Sequence, residues 1–158
     1  MSIRRMLVPV LGRDCDLSTL KTAVQVARKV DAHVDALFVR ANPAEFFPDM
    51  GYGYSGSGVV TQDVLDAVDR ASDELAEKAC GHVTAVAEET GIPITKYGEV
   101  SDRPSISFHQ ATGPLFAALR QESQLTDLIV YTHPPQGTAA DLANGLPGPL
   151  LGCPRPFL

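Results

Sequence analysis

Met-Leu-Val-Pro-Val at Met6–Val10 and Asp-Leu-Ile-Val-Tyr-Thr at Asp127–Thr132 are the two stretches of this sequence that decide the fold. Each is short, apolar and rich in branched side chains, and each ends at turn-forming or polar residues. Strands that are buried on both faces of a parallel sheet have this composition. Ligands of open parallel sheets bind beyond the carboxyl ends of such strands, so the residues after these two stretches are the first candidates for a site.

The composition predicts one soluble domain and argues against several classes of partner. The 158 residues are 44% hydrophobic and carry a formal net charge of -6, which disfavours nucleic acid or an anionic membrane as the main partner. The apolar run behind Arg4 and Arg5 is too short for a signal peptide, and no stretch is long enough for a membrane span. The 3 cysteines are far apart and do not suggest a disulfide framework. We therefore expect a cytoplasmic protein whose residues 1–158 form a single domain.

Strand and helix patterns alternate in the first ninety residues. A helix with one apolar stripe follows the first strand, and Asp16 is predicted to cap it by accepting amide hydrogens of its first turn. A second strand is predicted at Val34–Val39 and a long amphipathic helix from Thr61 to about Thr90. Units of this kind imply parallel strands with right-handed crossovers. The apolar face predicted for the long helix comprises Val64, Val68, Ala71, Leu75, Ala79, Val83 and Val86.

The second half of the chain is less regular. We predict an irregular excursion over residues 92–104 and a third strand at Ser105–Gln110. The alternative is a strand at Ile94–Val100, although its lysine, glycine and glutamate suit a central strand poorly. A third helix is predicted at Gly113–Glu122. The ending Arg155-Pro156-Phe157-Leu158 indicates an incomplete last strand at the sheet edge, next to the fourth.

Cysteines and histidines are the remaining candidates for chemistry. Cys15 and His133 follow strands that should be neighbours, and a thiolate–imidazole pair could act as a nucleophile or bind a metal. The sequence offers no third orienting residue and no metal-ligand spacing, so we expect two unrelated loop residues and no metal site. Cys80 is predicted to fill the core.

The other histidines are predicted to have no catalytic or metal-binding role. We expect His33 and His82 to be solvated, and His109 to be a sheet residue with a local partner. Gly51-Tyr-Gly53-Tyr-Ser-Gly56 matches a dinucleotide-binding pattern, but that pattern must lie directly between a strand and its helix. About ten residues separate it here from the preceding strand, so we interpret it as a surface loop.

The residues quoted so far also carry a family resemblance. The opening Met-Leu-Val-Pro-Val-Leu-Gly, the helix containing Thr19-Leu20 and Ala23, and the strand at Asp127–Val130 resemble the universal stress protein (UspA-like) family. The resemblance spans nearly the whole chain and is greatest to the N-terminal half of tandem members, in which two such domains share one chain. It implies an α/β fold with an open, doubly wound parallel sheet of five strands, in the order 3-2-1-4-5, with helices on both faces.

This sequence departs from the nucleotide-binding members of that family. The resemblance implies an aspartate after the first strand, where this chain has Leu11, which cannot accept a hydrogen bond. It also implies a Gly-x2-Gly-x9-Gly-Ser/Thr loop after the fourth strand. The matching positions here hold Thr132, Pro135, Gly145 and Leu146. Pro135 has no amide to donate to a phosphate, so the ATP motif is degenerate.

We therefore predict a non-enzymatic stress-response domain that acts through dimerisation and partner binding and has no cofactor. The partners expected are a second copy or a tandem domain, paired through the edge strand, and an unidentified protein. The alternative is a binder of a nucleotide, such as ATP or AMP, or of another small molecule at the carboxyl end of the sheet. An enzyme that uses Cys15 or His133 is a remote alternative. Residues implied to contact such a ligand are Pro9, Val10, Gly12, Val39 and Gly145.

Overall fold

A computed structural model of the chain describes residues 3–40, 62–99, 103–131 and 156. They form a parallel sheet with helices packed on both of its faces. In chain order the elements are β1 (Arg5–Val10), α1 (Cys15–Val30), β2 (His33–Arg40), α2 (Gln62–Thr90), β3 (Ser105–Thr112), α3 (Leu115–Ser123) and β4 (Leu128–Ile129). The predicted α/β class and the predicted third strand at Ser105–Gln110 are thereby confirmed.

The strands lie in the order β3-β2-β1-β4 and all pairings are parallel. This order confirms the prediction for the first four strands. On the outer side of β4, the amide of Ile129 donates to the carbonyl of Pro156 at 3.0 Å, so the chain lies beside β4 at that point. The fifth strand itself stays a prediction, because its other residues are outside the part of the chain that the structure describes.

Side chains along the strands point alternately to the two faces of the sheet and so form two core layers. Met6, Val8 and Val10 of β1 face α1 and α2, whereas Leu7 faces α3 together with Leu37 and Ile129. Side chains of successive strand residues point to opposite faces, and this is why an unbroken apolar run is needed where both faces are covered. Of the apolar strand residues predicted to be buried, Val8, Val10, Ile129 and Val130 are buried, and Val39 is only half-buried.

Helix α2 departs from the predicted apolar face. Its buried side chains are Ser72, Ala76, Ala79, Val83, Val86 and Ala87. The predicted face is therefore correct for the carboxyl half of the helix and wrong for its amino half, where Val64, Ala71 and Leu75 are exposed. Cys80 is also exposed, so the prediction that it fills the core is wrong. Helical periodicity locates an apolar stripe but does not tell where the sheet beneath the helix ends.

The edge of the sheet at β3 carries the excursion predicted for residues 92–104. Ile94 forms one isolated parallel bridge with Ile106, supported by hydrogen bonds that join Ile106 to Pro93 and Thr95. Of the alternative strand at Ile94–Val100, the described residues 94–99 form a single bridge at the sheet edge, and Val100 lies outside the described residues. Among the helices within the described ranges, none is long and apolar enough to cross a membrane.

Candidate functional site

The turn after β1, at the carboxyl end of the sheet, is closed by one carboxylate. The amides of Leu11, Gly12 and Arg13 all donate to Asp16, and the shortest of these bonds runs from Gly12 to Oδ2 at 2.7 Å. Asp16 lies inside α1 and is only 3% exposed. The prediction that Asp16 caps the first turn of α1 is therefore wrong: its carboxylate turns back toward the loop, while the N-cap residue is Asp14.

Gly12 allows this turn to pass close to α2. Its φ of +71° lies in the left-handed region that favours glycine. A Cβ atom at this position would lie 2.4 Å from the carbonyl oxygen of Leu75. Any larger residue would therefore push the turn away from α2. The amide of Gly12 already donates to Asp16.

His82 of α2 approaches the same carboxylate from the other side. Its Nδ1 is 3.7 Å from Oδ2 of Asp16, too far for a hydrogen bond. The His82 side chain is 16% exposed, so the prediction that it is solvated is wrong. Buried Nδ1 has no hydrogen-bond partner among the described residues. Asp16 is thus surrounded by donors and by an imidazole, and leaves little room for an external anion.

The thiol beside this turn is not activated. Burial raises the pKa of Cys15 above its ordinary value, and the negative charge of Asp16 raises it further. A cysteine nucleophile needs the opposite shift, because the thiolate is the reactive form. The pKa of Tyr131, after β4, is also raised, first by burial and then by the charge of Cys15. His133, the predicted partner of Cys15, lies outside the described residues.

The residues predicted to contact a ligand are brought to one end of the sheet. Pro9, Val10 and Gly12 are buried, and Val39 at the end of β2 is half-buried. Gly145 lies outside the described part of the chain. The ligand-binding role of these residues stays a prediction.

A second polar cluster, which the sequence did not reveal, lies on the α3 side of the sheet. Asp35 of β2 accepts hydrogen bonds from Arg5 at 2.7 and 3.0 Å and from the Ser107 hydroxyl at 2.8 Å. Its third neighbour is His33, whose Nε2 is 3.0 Å from Oδ1 of Asp35 and whose Nδ1 is 2.7 Å from the Ser105 hydroxyl. The prediction that His33 is solvated is wrong, since it is 5% exposed.

The order hydroxyl, imidazole, carboxylate in this cluster resembles a hydrolytic triad, but it is inaccessible. Ser105 is 0% exposed and Asp35 is 1% exposed, so a substrate could not reach the hydroxyl. Burial alone would raise the pKa of Asp35, but hydrogen bonds from His33 and Ser107, and the contact with Arg5, lower it to about 2. We conclude that this cluster holds three strands together. The signal in the sequence was a pair of polar residues at alternate positions at the start of β2, His33 and Asp35, and of β3, Ser105 and Ser107.

The excursion is fixed to the sheet and to α3 by Tyr97. Its ring stacks on His109 with centroids 3.7 Å apart, and its hydroxyl donates to Oε2 of Glu122 at 2.5 Å. Burial and Glu122 raise the pKa of Tyr97 to about 12. The prediction that His109 is a sheet residue is confirmed, but its partner is the stacked ring of Tyr97, because neither ring nitrogen has a hydrogen-bond partner among the described residues. Burial lowers the pKa of His109, against the opposing charges of Glu122 and Asp35.

Metal ligands do not converge in the described ranges. No three side chains of the histidine, cysteine, aspartate or glutamate type lie there as a group that could hold an ion. The polar residues instead satisfy one another, as in the Asp35 cluster, or close the β1 turn, as Asp16 does.

Solved structures with this architecture are universal stress proteins and similar chains. UspA from Lactobacillus plantarum matches with a TM-score of 0.68 at 15% identity, over 100% of this chain and 97% of that one. The hypothetical protein MJ0577, whose biochemical function was assigned from its structure, matches with a TM-score of 0.60 at 12% identity, over 100% and 95%. A universal stress protein in complex with cAMP matches with a TM-score of 0.51 at 14% identity, over 100% and 96%. No protein-family model and no curated protein matches the sequence.

Proposed function

We propose that this chain, which has the fold of the universal stress proteins, is a non-enzymatic stress-response domain of the cytoplasm that acts by binding other protein chains. The fold likeness, at identities of 15% or less, supports the architecture. The β1 turn supports the proposed function, because the amides of Leu11, Gly12 and Arg13 already donate hydrogen bonds to the Asp16 carboxylate. These amides are therefore engaged within the chain and are not available to a ligand.

Two further features of the chain support the loss of ATP binding. Leu11 stands where the resemblance implies an aspartate, and Pro135 stands where it implies a glycine of the phosphate loop. The raised pKa of Cys15 opposes a thiolate nucleophile near the same turn. Together these features favour an interaction domain over an enzyme.

Calorimetry with Mg-ATP tests this proposal. We expect no binding tighter than about 100 μM. The variant Leu11→Asp should not restore affinity, because the carboxylate of Asp16 would still occupy the turn amides and Pro135 would still lack one. Submicromolar binding of ATP to the wild-type chain would contradict the proposal.

Association is the second measurable part of the proposed function. We propose a homodimer, or pairing with a tandem domain, through the sheet edge beside β4. At that edge the carbonyl of Pro156 accepts a hydrogen bond from the amide of Ile129, and backbone groups at the edge of a sheet can pair with another chain. Light scattering at low micromolar concentration should detect association. A strictly monomeric chain would count against pairing through this edge.

A small-molecule binder is the alternative function, supported by the similar universal stress protein that was solved with cAMP. A thermal-shift screen with AMP, ATP, cAMP and dinucleotides separates the two functions. A ligand at 100 times its dissociation constant should stabilise the folded state by about 2.7 kcal/mol. A clear shift with one of these compounds would favour the alternative, and no shift would favour the interaction domain.

A further inference from the structure

We propose that the amino half of α2 is a docking surface for a basic amphipathic helix of another protein. The surface consists of Val64, Val68, Ala71 and Leu75, and we call it the α2 stripe. The inference rests on the proposed interaction function and adds to it a surface and the chemistry of the partner. It requires that the stripe be uncovered, that its geometry suit a helix, and that its charge select a basic one.

Within the described part of the chain, Val64, Ala71 and Leu75 of the α2 stripe are exposed and Val68 is half-buried, because α2 is longer than the sheet on which it packs. The helix has 29 residues and is about 43 Å long, whereas an eight-residue strand such as β2 spans about 26 Å. The first buried side chain of α2 is Ser72. Residues 62–71 therefore extend past the core, and Val64 and Leu75 are 42% and 40% exposed.

The spacing of the stripe is that of a helix-pairing seam. Its four residues follow one another at intervals of four, three and four, as positions a and d do in a heptad. On an ideal helix the stripe lies roughly 80° around the axis from the buried side chains. A partner helix could therefore lie along the stripe without displacing Ala76 or Ala79 from the core.

Charge selects the partner. Two basic residues, Arg70 and Lys78, lie between positions 62 and 78 of α2. Six acidic residues lie in the same stretch, namely Asp63, Asp66, Asp69, Asp73, Glu74 and Glu77. Of these six, Asp73 pairs with Arg40 at 2.6 Å. A second copy of α2 would bring the same acidic excess, so like charges oppose self-pairing and a basic helix is favoured.

A shallow depression shows how such a helix would be held. It is lined by Ala71, Glu74, Leu75, Glu77 and Lys78. Leucine-type side chains of a partner would contact the apolar floor formed by Ala71 and Leu75, and its lysines or arginines would lie within reach of Glu74 and Glu77. Apolar burial and ion pairing would thus act on the same face of the partner.

The test uses a labelled peptide of about five helical turns, made of leucine and lysine with leucines at the same spacing as the stripe. Fluorescence anisotropy should show saturable, salt-sensitive binding to the full chain. A leucine–glutamate peptide of the same pattern and a shuffled leucine–lysine peptide should bind at least about tenfold more weakly. Absence of binding by the patterned basic peptide, or equal binding of the acidic one, would overturn the proposal.

Variants locate the contact. Val64→Gln with Leu75→Gln should weaken binding about tenfold or more, whereas Leu125→Gln, at a side chain that is 61% exposed on the α3–β4 turn, should leave it unchanged. Glu74→Gln should reduce the salt sensitivity, and Glu88→Gln on the same helix should not. Unchanged binding by the Val64/Leu75 variant would refute the assignment.

Light scattering on the same variants tests a second copy as the occupant. The Val64/Leu75 variant should keep the oligomeric state of the wild-type chain. A wild-type dimer that this variant dissociates would show that a second copy covers the stripe, and would overturn the basic-helix proposal. Light scattering on the wild-type chain alone tests pairing through the β4 edge. The edge-pairing proposal and the basic-helix proposal can therefore fail independently.

Discussion

Arg5 and Asp35 form a salt bridge of 2.7 Å between neighbouring strands, and only the arginine is partly exposed, at 32% against 2% for the aspartate. Replacing Asp35 with alanine would leave Arg5 and His33 without their common partner. Breaking a buried ion pair from one side costs about 3–5 kcal/mol. We expect a loss of that size in the free energy of unfolding, measured by chemical denaturation.

Asp73 provides the matched control for Asp35. It pairs with Arg40 at 2.6 Å, but its side chain is 59% exposed, so Asp73→Ala should cost less than about 1 kcal/mol. The pKa of Asp35, lowered to about 2, also sets a pH window. The stabilisation by Asp35 should be complete above about pH 4 and decline as the pH falls toward 2. Equal losses for the two alanine variants at neutral pH would contradict this account.

His109 should make the domain sensitive to mild acid. Burial lowers its pKa in the folded state, so the unfolded chain binds a proton more readily. Its contribution is therefore complete above the ordinary histidine pKa of about 6.5 and is lost as the pH falls below that value. Urea denaturation across this range should show wild type losing stability relative to His109→Phe, which keeps a ring against Tyr97. A wild-type chain that gains stability on acidification relative to the variant would disprove the argument.

Alanine substitutions at Gly12 and Gly98 distinguish the stability cost of backbone strain from the cost of a steric clash. Both have positive φ, +71° and +81°, but only at Gly12 would a Cβ meet backbone, namely the Leu75 carbonyl at 2.4 Å. Gly98→Ala should cost about 1–2 kcal/mol from the left-handed conformation alone. Gly12→Ala should cost clearly more, because α2 must also move. Thermal unfolding of the two variants checks this, and similar losses would show that the turn can withdraw from α2 freely.

Asp16 should matter more for stability than its neighbour Asp14. Asp16→Ala would leave the amides of Leu11, Gly12 and Arg13 without their acceptor in a partly buried turn, at a cost of about 1–3 kcal/mol. Asp14 is exposed and makes no side-chain capping bond, so Asp14→Ala should change stability by less than about 0.5 kcal/mol. A larger effect at Asp14 than at Asp16 would be the contrary result.

Local pattern was sufficient to predict the strand at Met6–Val10 and the first helix, whereas the order of the first four strands was implied by the family resemblance. Their apolar runs are buried on both faces, so burial and sequence pattern coincide. Sequence pattern failed at Asp16, whose side chain can point either to the amides of its helix or back to the preceding loop. The rule that an aspartate caps the helix that follows it cannot tell that Asp16 turns back to the loop.

The Asp35 cluster was missed for a related reason. His33 stands at the beginning of β2, where a polar residue is usually solvated, and its partners Ser105 and Ser107 are more than seventy residues away in the sequence. Only the pairing of β2 with β3 brings these side chains together. A polar residue at alternate positions of two strands is weak evidence until their register is known.

Residues 62–71 of α2, which extend past the core, should open locally more easily than the rest of the helix. Residues 62–71 have no buried side chain, whereas the remainder is anchored by residues such as Ala79 and Val83. The first turns can open and close without disturbing the sheet, so their amide hydrogens should exchange with solvent through local fraying. Amides near Val83 should exchange only when the whole domain unfolds. A single helix should thus contain both weakly and strongly protected backbone, and a helix bound along the stripe would slow exchange in its amino half.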